Sequence, residues 1–230
     1  MGDRLTILPV RERRFHMFAD RCEAGRILGE MVARLPDIAG GAVLGLVRGG
    51  VPVAFEVAKA CSLPLDILLV RKLGVPWQPE LAMGAVASGG AIVLNQDVLR
   101  SCRISGAQLE QVTSREREEL HQREALYRQG QTAMPIQNRA VILVDDGLAT
   151  GASMRVAIRA VKDAARRIIV AVPVGAKSTC EELKTMADEV VCAWTPEPLE
   201  AVSQFYRQFN PTSDDEVRAL LKRETVRSQS

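Results

Sequence analysis

Short, continuous runs of apolar residues alternate along the chain with segments in which apolar residues recur at every third or fourth position. The runs have the length and aliphatic composition of buried β-strands, and they occupy residues 42–47, 64–70, 140–144, 168–174 and 189–194. The second pattern is typical of amphipathic helices, with clear examples at residues 15–35 and 53–61. Because strands that alternate with helices form βαβ units, we expect an α/β fold with a mostly parallel sheet and helices on both faces.

Two internal stretches interrupt this alternation. Residues 72–95 contain several glycines and prolines, and the Ser-Gly-Gly sequence at 88–90 separates two short apolar runs. This pattern predicts a hairpin on a flexible loop, which makes the stretch a candidate lid. Residues 105–129 are rich in Glu, Gln and Arg and predict a helix that faces solvent or a partner and stays outside the core. Ser213 and Glu216 form a capping-box pattern that predicts the start of a last helix.

Composition narrows the class of protein. The chain has 230 residues with 30 Lys and Arg against 28 Asp and Glu, so its charge gives no reason to expect a nucleic-acid or membrane partner. Its five cysteines form no CxxC pair, which argues against a disulfide framework or a zinc site. The pattern of a signal peptide is missing, and no apolar run is long enough to cross a bilayer. We expect a cytoplasmic protein with a single domain over residues 1–230.

The most informative segment is VILVDDGLATGASM, residues 141–154. A buried strand ends in Asp145 and Asp146, and a turn of small residues then leads into a helix. The backbone N–H groups and the dipole at such a helix start favour a phosphate, to which Thr150 and Ser153 add hydroxyl donors. Two carboxylates would repel the phosphate, so we expect them to face a neutral donor such as the vicinal hydroxyls of a ribose. The segment therefore predicts a site for a sugar phosphate.

VILVDDGLATGAS closely resembles the motif with which type I phosphoribosyltransferases bind phosphoribosyl diphosphate (PRPP). The shared pattern is an apolar run, two acids, three variable residues, then Thr-Gly and a small hydroxyl residue. The resemblance implies that Asp145 and Asp146 act in catalysis by holding the ribose hydroxyls. It assigns the rest of PRPP binding here to Gly147, Leu148, Ala149, Thr150, Gly151, Ala152 and Ser153, of which the last five would hold the 5′-phosphate. It also implies a Rossmann-like parallel-sheet core at about residues 40–195, a flexible loop at 72–95 and a small C-terminal hood at 195–230.

Two further segments fit the same family. Arg48, Gly49 and Gly50 follow a predicted strand and look like the family's diphosphate loop, in which backbone N–H groups face the anion. Arg71 and Lys72 follow the next strand and resemble the basic pair at the base of the flexible loop, which implies that they supply catalytic cations to the leaving diphosphate. All three features follow predicted parallel strands, so we expect them to meet at one edge of the sheet.

The activity implied by the resemblance is transfer of ribose 5-phosphate from PRPP to a nitrogen nucleophile, with inversion at the anomeric carbon and release of diphosphate. The implied cofactor is Mg²⁺ bound through PRPP, without a direct metal site on the protein. The implied acceptor is a small molecule, a nucleobase in most of the family. Some members are regulators, so a PRPP-binding protein without transferase activity is the alternative. The sequence leaves the oligomeric state open, with a homodimer as one candidate.

The acceptor is the least defined part of this hypothesis. Ala149 stands where the hypoxanthine and guanine enzymes of the family carry an acid that contacts the purine, which disfavours a 6-oxopurine. Base recognition in the family falls to the hood, so Phe205 and Tyr206, together with Trp77 in the loop, are candidates for stacking on a base. Equally, Phe205 and Tyr206 could form a hydrophobic patch that closes the sheet. The whole chain also resembles a bacterial branch of the family through FADRCEAGRILG, RKLGVPWQPELAMGAV and TPEPLEAVSQFY, and this second resemblance selects no acceptor.

Overall fold

The computed structural model describes residues 5–7 and 17–229, and its centre is a six-stranded parallel sheet. In chain-order numbering its strands are β1 (Leu5–Ile7), β2 (Ala42–Leu46), β3 (Leu65–Leu68), β7 (Ala140–Val144), β8 (Arg167–Val174) and β9 (Glu189–Trp194). They lie in the order β1-β9-β8-β7-β2-β3. The five predicted strands and their parallel arrangement are confirmed. Strand β1 is an addition, because three residues are too few to produce a recognisable pattern.

The chain leaves this sheet earlier than predicted after β3. Residues 64–70 form one apolar run, but β3 ends at Leu68 and a new strand, β4 (Val70–Val75), begins in a second sheet. This sheet is antiparallel and also contains β5 (Gln78–Ala87) and β6 (Ile92–Leu94). The predicted hairpin across residues 88–90 is confirmed as β5–β6, and Gly89 and Gly90 adopt the positive φ values, 79° and 85°, that its turn requires. The pairing of β4 with β5 was not predicted.

The first two helices begin at different residues from those predicted. Helix α1 covers Arg21–Val32, whereas the apolar spacing predicts a start at residue 15; Phe15 itself lies outside the described residues. Phe18 pairs with Tyr206 in an isolated β-bridge, and Asp20 caps the helix by accepting a hydrogen bond from the Glu23 N–H. Helix α2 covers Gly50–Cys61, so it starts three residues before the pattern predicted at residues 53–61.

The predicted charged helix exists, but the prediction that it stays outside the core is wrong. After the short helix α3 (Gln96–Ser101), α4 covers Gly106–Arg128 and starts with a capping box formed by Ser105 and Gln108. Leu120 and Tyr127 are each only 2% exposed, because one narrow face of α4 packs onto the molecule. Most of the remaining surface of α4 is polar and exposed. The few buried apolar residues therefore do not produce a clear amphipathic pattern in the sequence.

The remaining helices are α5 (Ala152–Val161), α6 (Lys177–Leu183) and α7 (Asp214–Gln229). The Oγ of Ser213 accepts a hydrogen bond from the Glu216 N–H at 3.1 Å, as the capping pattern predicts. Alternate residues of the central strands enter two cores: Ile142 of β7 belongs to the core on the side of α1 and α2, and Leu143 to the core on the side of α5 and α6. Among the described residues, no helix is long and apolar enough to span a membrane.

Candidate active site

The acidic pair lies at the carboxyl end of β7, near the middle of the parallel sheet. Asp145 and Asp146 follow the last strand residue, Val144, and both are partly buried. Oδ1 of Asp145 accepts a hydrogen bond from the backbone N–H of Asp146 at 2.8 Å. Ligands of open α/β sheets bind outside the carboxyl ends of the strands, so the fold places the two acids where a ligand is expected.

The loop that follows β2 lies directly against this pair. A Cβ atom at Gly49 would collide with Oδ2 of Asp146, and one at Gly50 would lie 2.6 Å from the carbonyl oxygen of Val144. Strands β2 and β7 are neighbours, and Gly45 pairs with Val144 in their register. The two glycines are therefore required by close approach: any side chain would push the Arg48–Gly50 loop away from the acids. The structure brings together the two segments that the sequence places almost a hundred residues apart.

The turn after the acids is anchored at its ends and open at its tip. The N–H of Leu148 donates to the carbonyl of Val174 at 2.8 Å, and the Thr179 hydroxyl donates to the carbonyl of Ala149 at 2.8 Å. Gly151 precedes α5 with φ +69° and has no side chain that could cap the helix. The first N–H groups of a helix have no intrahelical acceptor, so they remain available to an anion at this point. The exposed members of the turn are Ala149, Thr150, Ala152 and Ser153.

The two basic residues at the start of β4 are ion-paired. Nη2 of Arg71 lies 2.7 Å from Oε2 of Glu116 on α4, whose side chain is 10% exposed. Nζ of Lys72 lies 3.1 Å from Oε2 of the exposed Glu80 on the neighbouring strand. Arg71 lines a cavity of about 210 Å³ together with Arg48, and Lys72 lines a separate cavity of about 690 Å³ together with Ser153. Each basic residue therefore borders one of the two predicted phosphate-binding loops.

Burial raises the pKa of both carboxyls of the acidic pair. The pKa of Asp145 lies well above its usual value because the carboxyl is desolvated and because the charge of Asp146 is adjacent. Desolvation also raises the pKa of Asp146, but the guanidinium of Arg21 opposes this rise through its charge and its hydrogen bond. A ligand that donates hydrogen bonds to the two carboxylates would therefore stabilise their ionised form.

Arg21 is the site residue that the sequence did not reveal. Its side chain, 11% exposed, contacts Oδ2 of Asp146 through Nη2 at 2.8 Å, and Nη1 donates to the carbonyl of Asn210 at 2.7 Å. The guanidinium also lies over the ring of Phe209, 3.9 Å from its centroid. In the sequence, Arg21 is one of many arginines, and only the fold reveals that the first helix delivers it to the acidic pair.

The three candidate acceptor residues occupy different environments. Phe205 and Tyr206 are buried, with 7% and 3% exposure, and pack in a cluster with Phe18. The Tyr206 hydroxyl donates to the backbone carbonyl of Asp146 at 2.6 Å. This packing favours the interpretation of Phe205 and Tyr206 as a patch that closes the sheet. Trp77 is 58% exposed at the tip of the β4–β5 hairpin.

Comparison with known proteins agrees with this geometry. The sequence matches the family described as "Phosphoribosyl transferase domain" over residues 34–206. It is 47% identical over 208 residues to "Putative phosphoribosyl transferase Rv0571c" of Mycobacterium tuberculosis, a match that covers 90% of this chain and 47% of the relative. The chain thus spans about half the length of this curated relative. The crystal structure of TT1426 from Thermus thermophilus is 42% identical, covers 89% of this chain and 97% of its own, and superposes with a TM-score of 0.77.

These matches define the class of protein. The family covers both the loop after β2 and the acidic motif after β7, and it extends to the Tyr206 that contacts that motif. The chain belongs to the phosphoribosyltransferase family, and its fold is a parallel α/β fold.

Proposed function

We propose that this protein transfers ribose 5-phosphate from PRPP to a nitrogenous base or a related small acceptor and releases diphosphate. The observation that carries this proposal is the contact between Gly49 and the carboxylate of Asp146. It places a loop suited to a diphosphate directly beside an acidic pair suited to a ribose, so that one small molecule could contact both. The turn at residues 147–153, which follows the acids, would bind the 5′-phosphate.

PRPP matches the charge pattern of this edge of the sheet. Asp145 and Asp146 would accept hydrogen bonds from the 2′ and 3′ hydroxyls, which are neutral donors. The backbone N–H groups at the start of α5, with the hydroxyls of Thr150 and Ser153, would bind the 5′-phosphate. The backbone of Gly49 and Gly50 would bind the diphosphate. In this arrangement negative phosphates face N–H donors, and the carboxylates face only hydroxyl groups.

Mg²⁺ bound through PRPP fits the donor set of the site. Among the residues that the structure describes, no group of three or more His, Cys, Asp and Glu side chains is suited to hold a metal ion. Phosphate and hydroxyl oxygens of the substrate are the kind of ligand that Mg²⁺ prefers, so most of its ligands would come from PRPP itself. Bound there, Mg²⁺ would neutralise the charge that develops on the leaving diphosphate.

The residues of the chain would act mainly by electrostatics and by exclusion of water. As the bond between the anomeric carbon and the diphosphate breaks, negative charge grows on the leaving group, and Arg71 and Lys72 would stabilise it. The sugar becomes an oxocarbenium-like cation that water would also attack. The exposed tip of the β4–β5 hairpin, around Trp77, is the candidate lid that would exclude water, because the rest of this sheet carries buried core residues such as Leu73 and Met83.

For the acceptor, the proposal is restricted to its chemical class. Ala149 offers no acid to a purine, so a 6-oxopurine remains disfavoured. With Phe205 and Tyr206 buried, Trp77 is the candidate aromatic with an exposed ring, at the tip of the β4–β5 hairpin.

The test is release of diphosphate from PRPP and Mg²⁺, measured against a panel of nucleobases and other nitrogen nucleophiles. The proposal predicts release with at least one acceptor and none without an acceptor beyond slow hydrolysis. Tight binding of PRPP without release for any acceptor would contradict the transferase and support the regulatory alternative. Failure to bind PRPP at all would contradict both.

A further inference from the structure

A small basic cavity lies beside the diphosphate loop and includes a residue from outside the motifs. It has a volume of about 210 Å³ and is lined by Arg48 and Arg71 and by Arg123 and Tyr127 of α4. Three arginines thus line one small space. Like charges in such a space repel each other, so their placement is favourable only if anionic groups lie among them.

One such anion is supplied by the last helix. The Tyr127 hydroxyl donates to Oδ1 of Asp214 at 2.7 Å, and Nη1 of Arg48 lies 3.5 Å from the same oxygen. Burial and the hydrogen bond to Asp214 raise the pKa of Tyr127, and the nearby charge of Arg123 opposes this rise. The Tyr127 hydrogen bond, followed by the charges of Arg48 and Arg123, lowers the pKa of Asp214, so the carboxylate is ionised at neutral pH. Asp214 is therefore the internal counter-ion of Arg48, and the charge of Arg123 acts on the same carboxylate.

This pairing is weak enough to be exchanged. The side chains of Arg48 and Asp214 are 46% and 36% exposed, and an ion pair at 3.5 Å with that much solvent contributes little to stability. Arg71, in contrast, is held at 2.7 Å by Glu116, whose side chain is only 10% exposed. Two oxygens of a phosphate group offer a guanidinium two parallel, charge-assisted hydrogen bonds, which are stronger than the long contact to Asp214. An entering diphosphate would therefore compete successfully with Asp214 for Arg48, and it would also meet Arg123, which lines the same cavity.

We propose that Arg123 is a third arginine for the diphosphate and that Asp214 is the counter-ion that the diphosphate displaces. The inference rests on the proposed function, since it uses the same diphosphate site. It adds two residues, from α4 and α7, that lie outside the strand-and-loop motifs of the sheet. In the free protein Asp214 compensates the charge of Arg48 and Arg123, and in the complex the phosphate oxygens take its place.

The experiment is a calorimetric titration of inorganic diphosphate with Mg²⁺ into the wild type and four variants. Arg123→Ala should weaken diphosphate binding about tenfold or more, because a charge-assisted contact is lost. Arg123→Lys keeps the charge and should recover part of this loss. Asp214→Asn should tighten binding about threefold, because the competing carboxylate is removed. Arg117→Ala, earlier on α4 and outside the lining of the cavity, is the matched control and should bind as the wild type does.

A parallel titration with ribose 5-phosphate, which lacks the diphosphate, separates this inference from the proposed function. All variants should bind ribose 5-phosphate as the wild type does. The inference would be overturned if Arg123→Ala bound diphosphate as tightly as the wild type, or if it lost the same affinity for diphosphate and for ribose 5-phosphate. Unchanged diphosphate affinity in Asp214→Asn would also overturn it. Each of these results would leave the proposed function intact. A wild-type protein that binds neither ligand would overturn both.

Discussion

Arg21 of α1 holds Oδ2 of Asp146 with two nitrogens, Nε at 2.9 Å and Nη2 at 2.8 Å. Both contacts use the same oxygen, so neither occupies Oδ1. The guanidinium is itself fixed by the carbonyl of Asn210 and by the ring of Phe209. The N-terminal helix and the C-terminal tail therefore jointly orient one acid of the pair after β7 and favour its ionised form.

The variant Arg21→Gln tests this role. Without the cation the pKa of Asp146 rises further, because desolvation is then less opposed. The carboxylate that accepts from the ribose is protonated below its pKa, so the fall in PRPP affinity on acidification should start at a higher pH than in the wild type. At neutral pH we expect a loss of affinity of about tenfold.

The measurement is the PRPP dissociation constant as a function of pH. Arg26→Gln, an exposed arginine on the same helix, is the control and should leave the profile unchanged. An Arg21→Gln variant with weaker binding but an unshifted pH profile would show that Arg21 only supports the fold.

Gly49→Ala tests the contact between the two motifs. The added Cβ collides with the Asp146 carboxylate and must displace either the loop or the acid. We expect a loss of unfolding free energy of about 1–3 kcal/mol, as for other overpacked positions, together with weaker PRPP binding. Urea denaturation and calorimetry measure the two effects. Gly106→Ala is the matched control, because a Cβ there meets nothing within 4 Å; a similar loss in both variants would contradict the contact.

The packing of α4 makes a separate prediction about stability. Arg128 at the end of α4 contacts Oδ2 of Asp66 on β3 at 3.2 Å, and the two side chains are only 11% and 12% exposed. Arg128→Met leaves Asp66 buried without its cation, so we expect a loss of about 3 kcal/mol in the free energy of unfolding. Arg100→Met breaks an exposed pair with Asp97 and should cost less than about 0.5 kcal/mol. Equal effects of the two changes in urea denaturation would refute the structural role of α4.

The sequence predicts the features formed by residues that are close together in the chain, but it does not predict contacts between residues that are far apart in the chain. Strand β7 and the turn into α5 follow from the local pattern at residues 141–154, because strand, acids, small residues and helix are adjacent in the chain. The contact of Arg21 with Asp146 joins residues far apart in sequence and leaves no local pattern. The buried face of α4 is hidden for a related reason: its Glu116 is buried through an ion pair with Arg71, which hydrophobic spacing does not register.

Lys72 offers a test that separates binding from catalysis. Its ion pair with Glu80 is exposed, so Lys72→Ala should leave stability almost unchanged. The cation is needed most as the diphosphate leaves, so the variant should slow transfer more than it weakens PRPP binding. Comparison of kcat with the PRPP dissociation constant measures this difference, with Lys59→Ala on the exposed part of α2 as the control. An equal loss in both quantities would mean that Lys72 only binds substrate.

The proposed function depends above all on Asp145 and Asp146, which would hold the ribose of PRPP. Replacement of both by Asn preserves the shape of the side chains and removes the two charges, together with some of the acceptor oxygens that would face the hydroxyls. Calorimetric titration with PRPP and Mg²⁺ tests the claim directly. The account predicts that the double variant binds PRPP at least about tenfold more weakly than the wild type. An unchanged PRPP affinity in a folded double variant would contradict it.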